Sequence, residues 1–227
     1  MRKIVIVLMF LHLIFISQLL YSQTIDSIFQ VNKPVKFKVV FINDSLKMYS
    51  TGYVSFMATG KIWERDSTQM EIRINYTYEI KDSLEFLNYK NIGWVKEEIT
   101  GARQDSVTIF IHPPRHNQFI LLEFAPFPTI ELPLFKDYKY GRILNIGDGW
   151  GEYSNTKIES RYKVVEESEN KTGKIWKITA ESGSKKSNES PLISICSLEM
   201  IFSQTEGYLS LDYKFYDGTR IRFYREN

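Results

Sequence analysis

Two of the three histidines fall within His112-Pro113-Pro114-Arg115-His116, and a close histidine pair is the usual raw material of a metal site or a general base. The backbone works against a shared ion. Consecutive prolines hold the segment extended at about 3 Å per residue, which sets the imidazoles roughly 10 Å or more apart. No cysteine lies nearby and no helical acidic-histidine motif is present, so no metal site or cofactor is expected and the segment reads as a strand exit. The catalytic alternative is a hydrolase using His112 or His116, with an acid such as Asp105 orienting a ring after folding. Ile146-Gly147-Asp148-Gly149-Trp150-Gly151-Glu152-Tyr153 is the most glycine-dense stretch. It lacks the preceding strand and following helix of a phosphate loop and the repeated acids of a calcium loop, so it reads as a tight turn presenting Trp150 to the core. Trp94, Trp150 and Trp176 are the ligand-binding candidates, because flat rings on strands serve carbohydrate faces and lipid cavities as well as cores. Glu166 and Glu167 occupy opposite-facing strand positions and do not meet over one substrate bond. No catalytic residue emerges from the spacing.

Five of the nine aspartates are followed by serine: Asp26-Ser27, Asp44-Ser45, Asp66-Ser67, Asp82-Ser83 and Asp105-Ser106. Chance would give roughly one such pair at ordinary serine abundance. Their spacing matches a strand, a turn and a return strand, and each reads as an Asx turn in which the aspartate oxygen takes a backbone N–H two residues on. The triplets completed by Ile28, Leu46, Thr68, Leu84 and Val107 also resemble the acceptor signal of a general O-glycosylation system of secreting gram-negative bacteria. That resemblance marks Ser27, Ser45, Ser67, Ser83 and Ser106 as acceptor candidates, and both readings need an exposed loop.

The elements that must position these residues are strands. Met70 to Ile80 alternates apolar and polar residues strictly, and the same period of two recurs in Val35 to Ile42, Val107 to Ile111 and Trp176 to Ala180. Phe119 to Phe124 is evenly apolar and reads as a strand covered on both faces. Tyr208 to Tyr216 and Thr219 to Tyr224 flank Asp217-Gly218, the pair preferred by a two-residue type I′ hairpin turn. Arg220 and Arg222 on that hairpin read as a wet face that blunts edge pairing. Asp82-Ser83-Leu84-Glu85 could cap a short helix through Asn91, although a turn and a further strand fit as well. Five of the seven prolines lie between Pro113 and Pro133, which makes 113–139 a crossover between two groups of strands. The expectation is an all-β fold with little helix: a curled antiparallel sheet, half-barrel or open barrel, of about ten to twelve strands, in one domain spanning 23–227.

Arg2 and Lys3 precede the apolar run Ile4 to Ile16, and a polar stretch follows with Ser22 as the processing residue, so 1–22 reads as a secretory signal peptide. The run falls short of the roughly 20 apolar residues of a spanning helix, which argues against a stable membrane anchor in the mature protein. Cys196 is the lone cysteine, so there is neither a lipidation cysteine after the leader nor an intrachain disulfide, and the residue reads as part of a strand core. The charge of +2 arises from 29 basic and 27 acidic residues, and Arg2 and Lys3 account for the excess. A neutral mature chain argues against a nucleic-acid partner, whose binding would rest on a basic footprint. The protein is expected in the periplasm or medium, not lipid-anchored.

From Pro133 onward, Gly149-Trp150, Tyr162 to Val165, Trp176 to Ile178, Phe202-Ser203, Gly207-Tyr208 and Tyr213 to Ile221 resemble uncharacterised exported bacterial β proteins of the DUF3108 or TapB-like kind. The resemblance implies a curled half-barrel akin to that of the periplasmic lipoprotein carriers, and it implies no site residues. Three functions fit: a non-enzymatic envelope or secreted protein binding a lipid, another apolar ligand or an envelope protein on its concave face; a glycan-binding or adhesion module with exposed aromatic residues; and the histidine-dependent hydrolase. An enclosed apolar cavity favours the first, an exposed coplanar aromatic strip the second, and a histidine-acid pair with a nearby nucleophile the third.

Overall fold

The computed structural model describes residues 25–43, 48–78, 95–148, 154–184 and 193–226. The leader, the Asp82–Asn91 segment, Ser45, Ser83, Trp94 and Trp150 lie outside them. Twelve strands form one antiparallel sheet, nearly closed as a barrel, as expected for the fold class. In chain order they are β1 (Val35–Asn43), β2 (Met48–Trp63), β3 (Asp66–Tyr78), β4 (Glu97–Gln104), β5 (Thr108–Ile111), β6 (Thr129–Glu131), β7 (Lys139–Asn145), β8 (Lys157–Asn170), β9 (Gly173–Ser184), β10 (Ile193–Ser203), β11 (Gly207–Phe215) and β12 (Thr219–Arg225).

The chain meanders outward from β1 to β6, crosses to the opposite edge of the sheet at β7, and meanders back until β12 pairs with β1. That last pairing runs from Phe37 opposite Arg225 to Asn43 opposite Thr219. Period two puts Phe37, Val39 and Phe41 of β1, Ile72, Ile74 and Tyr76 of β3, and Ile221 and Phe223 of β12 on the inward face, where they are buried together. Trp176, Tyr213, Phe202 and Phe223 retain at most 1% of their surface. Their burial removes enough apolar area to make this face the main source of stability.

Phe119 to Phe124 is not a strand. Asn117–Phe124 forms a 3-10 helix that lies against the inner face of the sheet, with Phe119 and Leu122 wholly buried. Phe119 stacks on Tyr76 at 5.7 Å and packs against Phe223. A short apolar run without alternation suits a buried helix as well as a doubly covered strand, and the prolines on either side isolate it from ladder partners. Asn117 adopts a positive φ of 56°, which asparagine tolerates, and its amide brackets Val95 by donating to the carbonyl and accepting from the N–H.

After the helix the crossover runs through Pro126 and Pro128 to β6. Hydroxyls from the second half of the chain donate to the carbonyls of this stretch, and Ile111 N–H also gives to the Pro128 carbonyl at 3.3 Å. Ser182 donates to the Phe124 carbonyl at 2.6 Å, Tyr162 to Phe127 at 2.8 Å, Tyr208 to Pro128 at 2.9 Å and Tyr140 to Thr129 at 2.7 Å. The edge strands β6 and β7 share no ladder. Side chains bridge them instead: Arg142 pairs with Glu131 at 3.3 Å beside the Tyr140 bond.

Two expectations about the C-terminal hairpin are corrected. Its loop has three residues, Tyr216 to Gly218: Gly218 donates to the Phe215 carbonyl and carries the left-handed φ of 89°, while Asp217 stays at negative φ. A type I′ turn needs both central residues left-handed, so this is a type I turn closed by a glycine bulge, with Asp217 Oδ1 accepting from Thr219 N–H at 2.8 Å. Nor does the arginine row guard an edge, since β12 lies between β11 and β1 and Arg220 and Arg222 both pair with Asp212 on β11.

Candidate functional site

The outward residues of β7 to β10 enclose a shallow groove of about 430 Å³. Lys139 of β7 stands opposite Lys163 of β8, and Arg161 of β8 stands opposite Glu181 of β9, which is flanked by Thr179. Ser197 of β10 and Tyr216 of the hairpin loop form the far wall. On β8 and β9 the alternate residues present their side chains here because Tyr162 and Ala180 between them are buried in the core. Tyr216 is 67% exposed and donates its hydroxyl to Glu181 Oε1 at 3.2 Å; Ser194 donates to the same oxygen. Arg161 gives its Nε to Glu159 at 2.7 Å, and Lys163 pairs with Asp137 at 2.7 Å, an interaction that holds the Asp137 carboxyl below its usual range. An exposed phenol, two small hydroxyls, one carboxylate and three cations in one hollow can stack against a ring and exchange hydrogen bonds with hydroxyls.

The histidines are separated. His112 points to the outer face, where Trp63, Phe110 and Phe127 surround its ring at 5.1 to 5.3 Å. Burial among these rings pushes its pKa down to about 4, and Nδ1 has no hydrogen-bond partner. His116 stands at the start of the 3-10 helix with Nε2 at 3.7 Å from the Glu98 carboxylate, too long for a strong bond. Glu98 instead accepts from the Tyr76 hydroxyl at 2.7 Å and from Arg115 N–H at 3.3 Å. Arg115 also reaches Thr100 and lies 3.7 Å from Glu123, whose carboxyl is pushed up by burial. These bonds tie the helix to β3 and β4. Asp105 turns its carboxylate to Val107 and Thr108 rather than to a histidine.

Trp176 is wholly buried beside Phe202, in the core. Cys196 is buried and burial drives its thiol pKa up, which leaves it unreactive. Glu166 pairs with Lys177 and Glu167 with Lys174. Among the described residues no histidine, cysteine and carboxylate cluster could hold a metal ion, and no helix is long and apolar enough to cross a membrane.

Asp66 and Asp105 make the expected Asx turns, accepting from Thr68 N–H at 2.9 Å and Val107 N–H at 2.8 Å. Asp26 does not: the Ile28 N–H it would take goes to Gln104 Oε1 at 2.9 Å. Gln104 is the better placed acceptor because its amide also donates to the Asp26 carbonyl, which pins both sides of the segment. Ser27, Ser67 and Ser106 are exposed, near the barrel end that carries the β2–β3 and β4–β5 turns.

The groove itself was missed in the sequence, because register rather than proximity in the chain assembles it. Alternation alone placed Thr179 on an outward face, but nothing local aligned it with Tyr216.

No family model matches the chain and no curated protein matches it, so the likeness of its C-terminal half to DUF3108 or TapB-like proteins stands as a resemblance. Among solved structures it is similar to a "putative exported protein with YmcC-like fold" of Bacteroides fragilis NCTC 9343, at 10% identity and a TM-score of 0.40, over 90% of this chain and 98% of the other.

Proposed function

We propose that the protein is exported to the periplasm or medium and works as a binding module that takes a saccharide on the outer face of its sheet. The observation that carries this reading is the groove beside Tyr216, where an exposed ring stands over hydroxyl and charged side chains on β8 to β10. Aromatic rings stack on the apolar faces of sugars while neighbouring polar groups read their hydroxyls. The reading takes the place of an apolar ligand on the concave face, since Phe119 and Leu122 of the chain's own helix occupy the inward position such a ligand would need. It also takes the place of a hydrolase, since His112 is enclosed by aromatic rings and the carboxylate beside His116 is engaged by Tyr76.

Export is supported by the basic, apolar and polar order of residues 1–22, and soluble rather than lipidated release by the absence of a cysteine there. Glycosylation of the aspartate-serine triplets belongs to the same proposal, supported by the exposure of Ser27, Ser67 and Ser106; intact mass of protein from its native host reads it directly.

The test of saccharide binding is titration calorimetry of the full chain against a panel of oligosaccharides. At least one binds, and Tyr216→Ala weakens it about tenfold or more, in line with the loss of a stacking anchor. Failure of the whole panel, or lipid retained on the protein in native mass spectrometry, overturns the reading.

A further inference from the structure

The charges of the groove point to what kind of saccharide it takes. Lys139 and Lys163 face each other directly across β7 and β8, and Arg161 lies two residues from Lys163 on the same outward face, about 7 Å away along the strand. Like charges directly opposite in a ladder repel and destabilise the pairing. Asp137, paired with Lys163, offsets part of that repulsion. Glu159 engages Arg161 through Nε, so the terminal fork of the guanidinium is uncommitted among the described residues. The one carboxylate lining the hollow, Glu181, already accepts from Tyr216 and Ser194. Three cations therefore line the hollow beside one carboxylate, Glu181, which accepts from two neutral hydroxyls.

Resting on the saccharide reading, we propose that the ligand is an acidic saccharide: its carboxylate is received by Arg161 between Lys139 and Lys163, while a neighbouring sugar ring lies against Tyr216. A guanidinium fork matches a carboxylate in two parallel hydrogen bonds, and flanking ammonium groups add field without fixed geometry. Thr179 and Ser197 line the same hollow on either side of Glu181, where sugar hydroxyls would fall.

The experiment pairs each of several uronic-acid oligosaccharides with its carboxyl-reduced neutral counterpart and measures both against the full chain by calorimetry. The expected result is at least one acidic member binding tenfold or more tightly than its reduced partner, with a preference that shrinks as salt rises. Arg161→Gln brings that ratio close to one while leaving the thermal unfolding midpoint in place, because the side chain is 58% exposed. Lys163→Gln reduces the ratio less. Equal affinity for acidic and reduced forms overturns the carboxylate assignment and leaves the saccharide reading standing. No binding by any member overturns both.

Discussion

His112 shows how a residue suited to chemistry is spent on structure. Its ring fills a gap among Trp63, Phe110 and Phe127, and burial among them favours the neutral form in the folded protein. A folded pKa of about 4 against 6.5 for the free group means the folded state resists taking up the proton. The associated stability is fully present above pH 6.5 and is lost as pH falls towards 4, a change on the order of 3 kcal/mol. His112→Phe keeps the ring contacts and removes the titration, so urea unfolding of the variant should vary less across that interval than the native protein does. Parallel loss in the two proteins would show that another group carries the acid sensitivity. The tyrosines display the same division of labour: Tyr140, Tyr162 and Tyr208 contribute rings to the core, and their hydroxyls donate to carbonyls of the proline-rich crossover.

At the scale of elements, close approach between strands sets the sharpest constraint. On β4, Gly101 faces outward beneath the Trp63 indole and the Gln69 side chain, and a methyl group there would collide with both. Gln69 can swing aside, but Trp63 is held by its packing with His112. Gly101→Ala should therefore cost about 1 to 3 kcal/mol through overpacking, read as a lower denaturant midpoint, and an unchanged midpoint would mean that β2 and β3 adjust freely. The strands themselves were legible because burial on one face writes a period of two into them: the described part of the Met70 to Ile80 pattern lies within β3, and the pattern of Trp176 to Ala180 sits within β9. The 3-10 helix was not, because Phe119 to Phe124 is apolar without a period and its state was decided by the barrel interior that receives it. Asp217-Gly218 announced the hairpin but not its loop, since glycine can supply one left-handed residue as readily as two neighbours can. The groove stayed hidden for a related reason: Lys139, Arg161, Thr179, Ser197 and Tyr216 span nearly eighty positions and meet only through register.

Across the whole molecule, cohesion is unequal around the barrel. The β1–β12 ladder joins seven residue pairs and is flanked by core on its inner face, whereas β7 has exposed or half-buried residues throughout and no ladder to β6. Hydrogen exchange should find the β7 amides exchanging faster than those of β1 and β12, because opening an edge strand exposes little buried area. Uniform protection around the barrel would imply that the Arg142 and Tyr140 bridges fasten the seam as firmly as a ladder does. The closure of β1 on β12 also dictates timing: the first strand to emerge waits for the last, so no intermediate length of chain can complete the sheet. For the export proposed above, this order keeps the sheet open until β12 is available to β1.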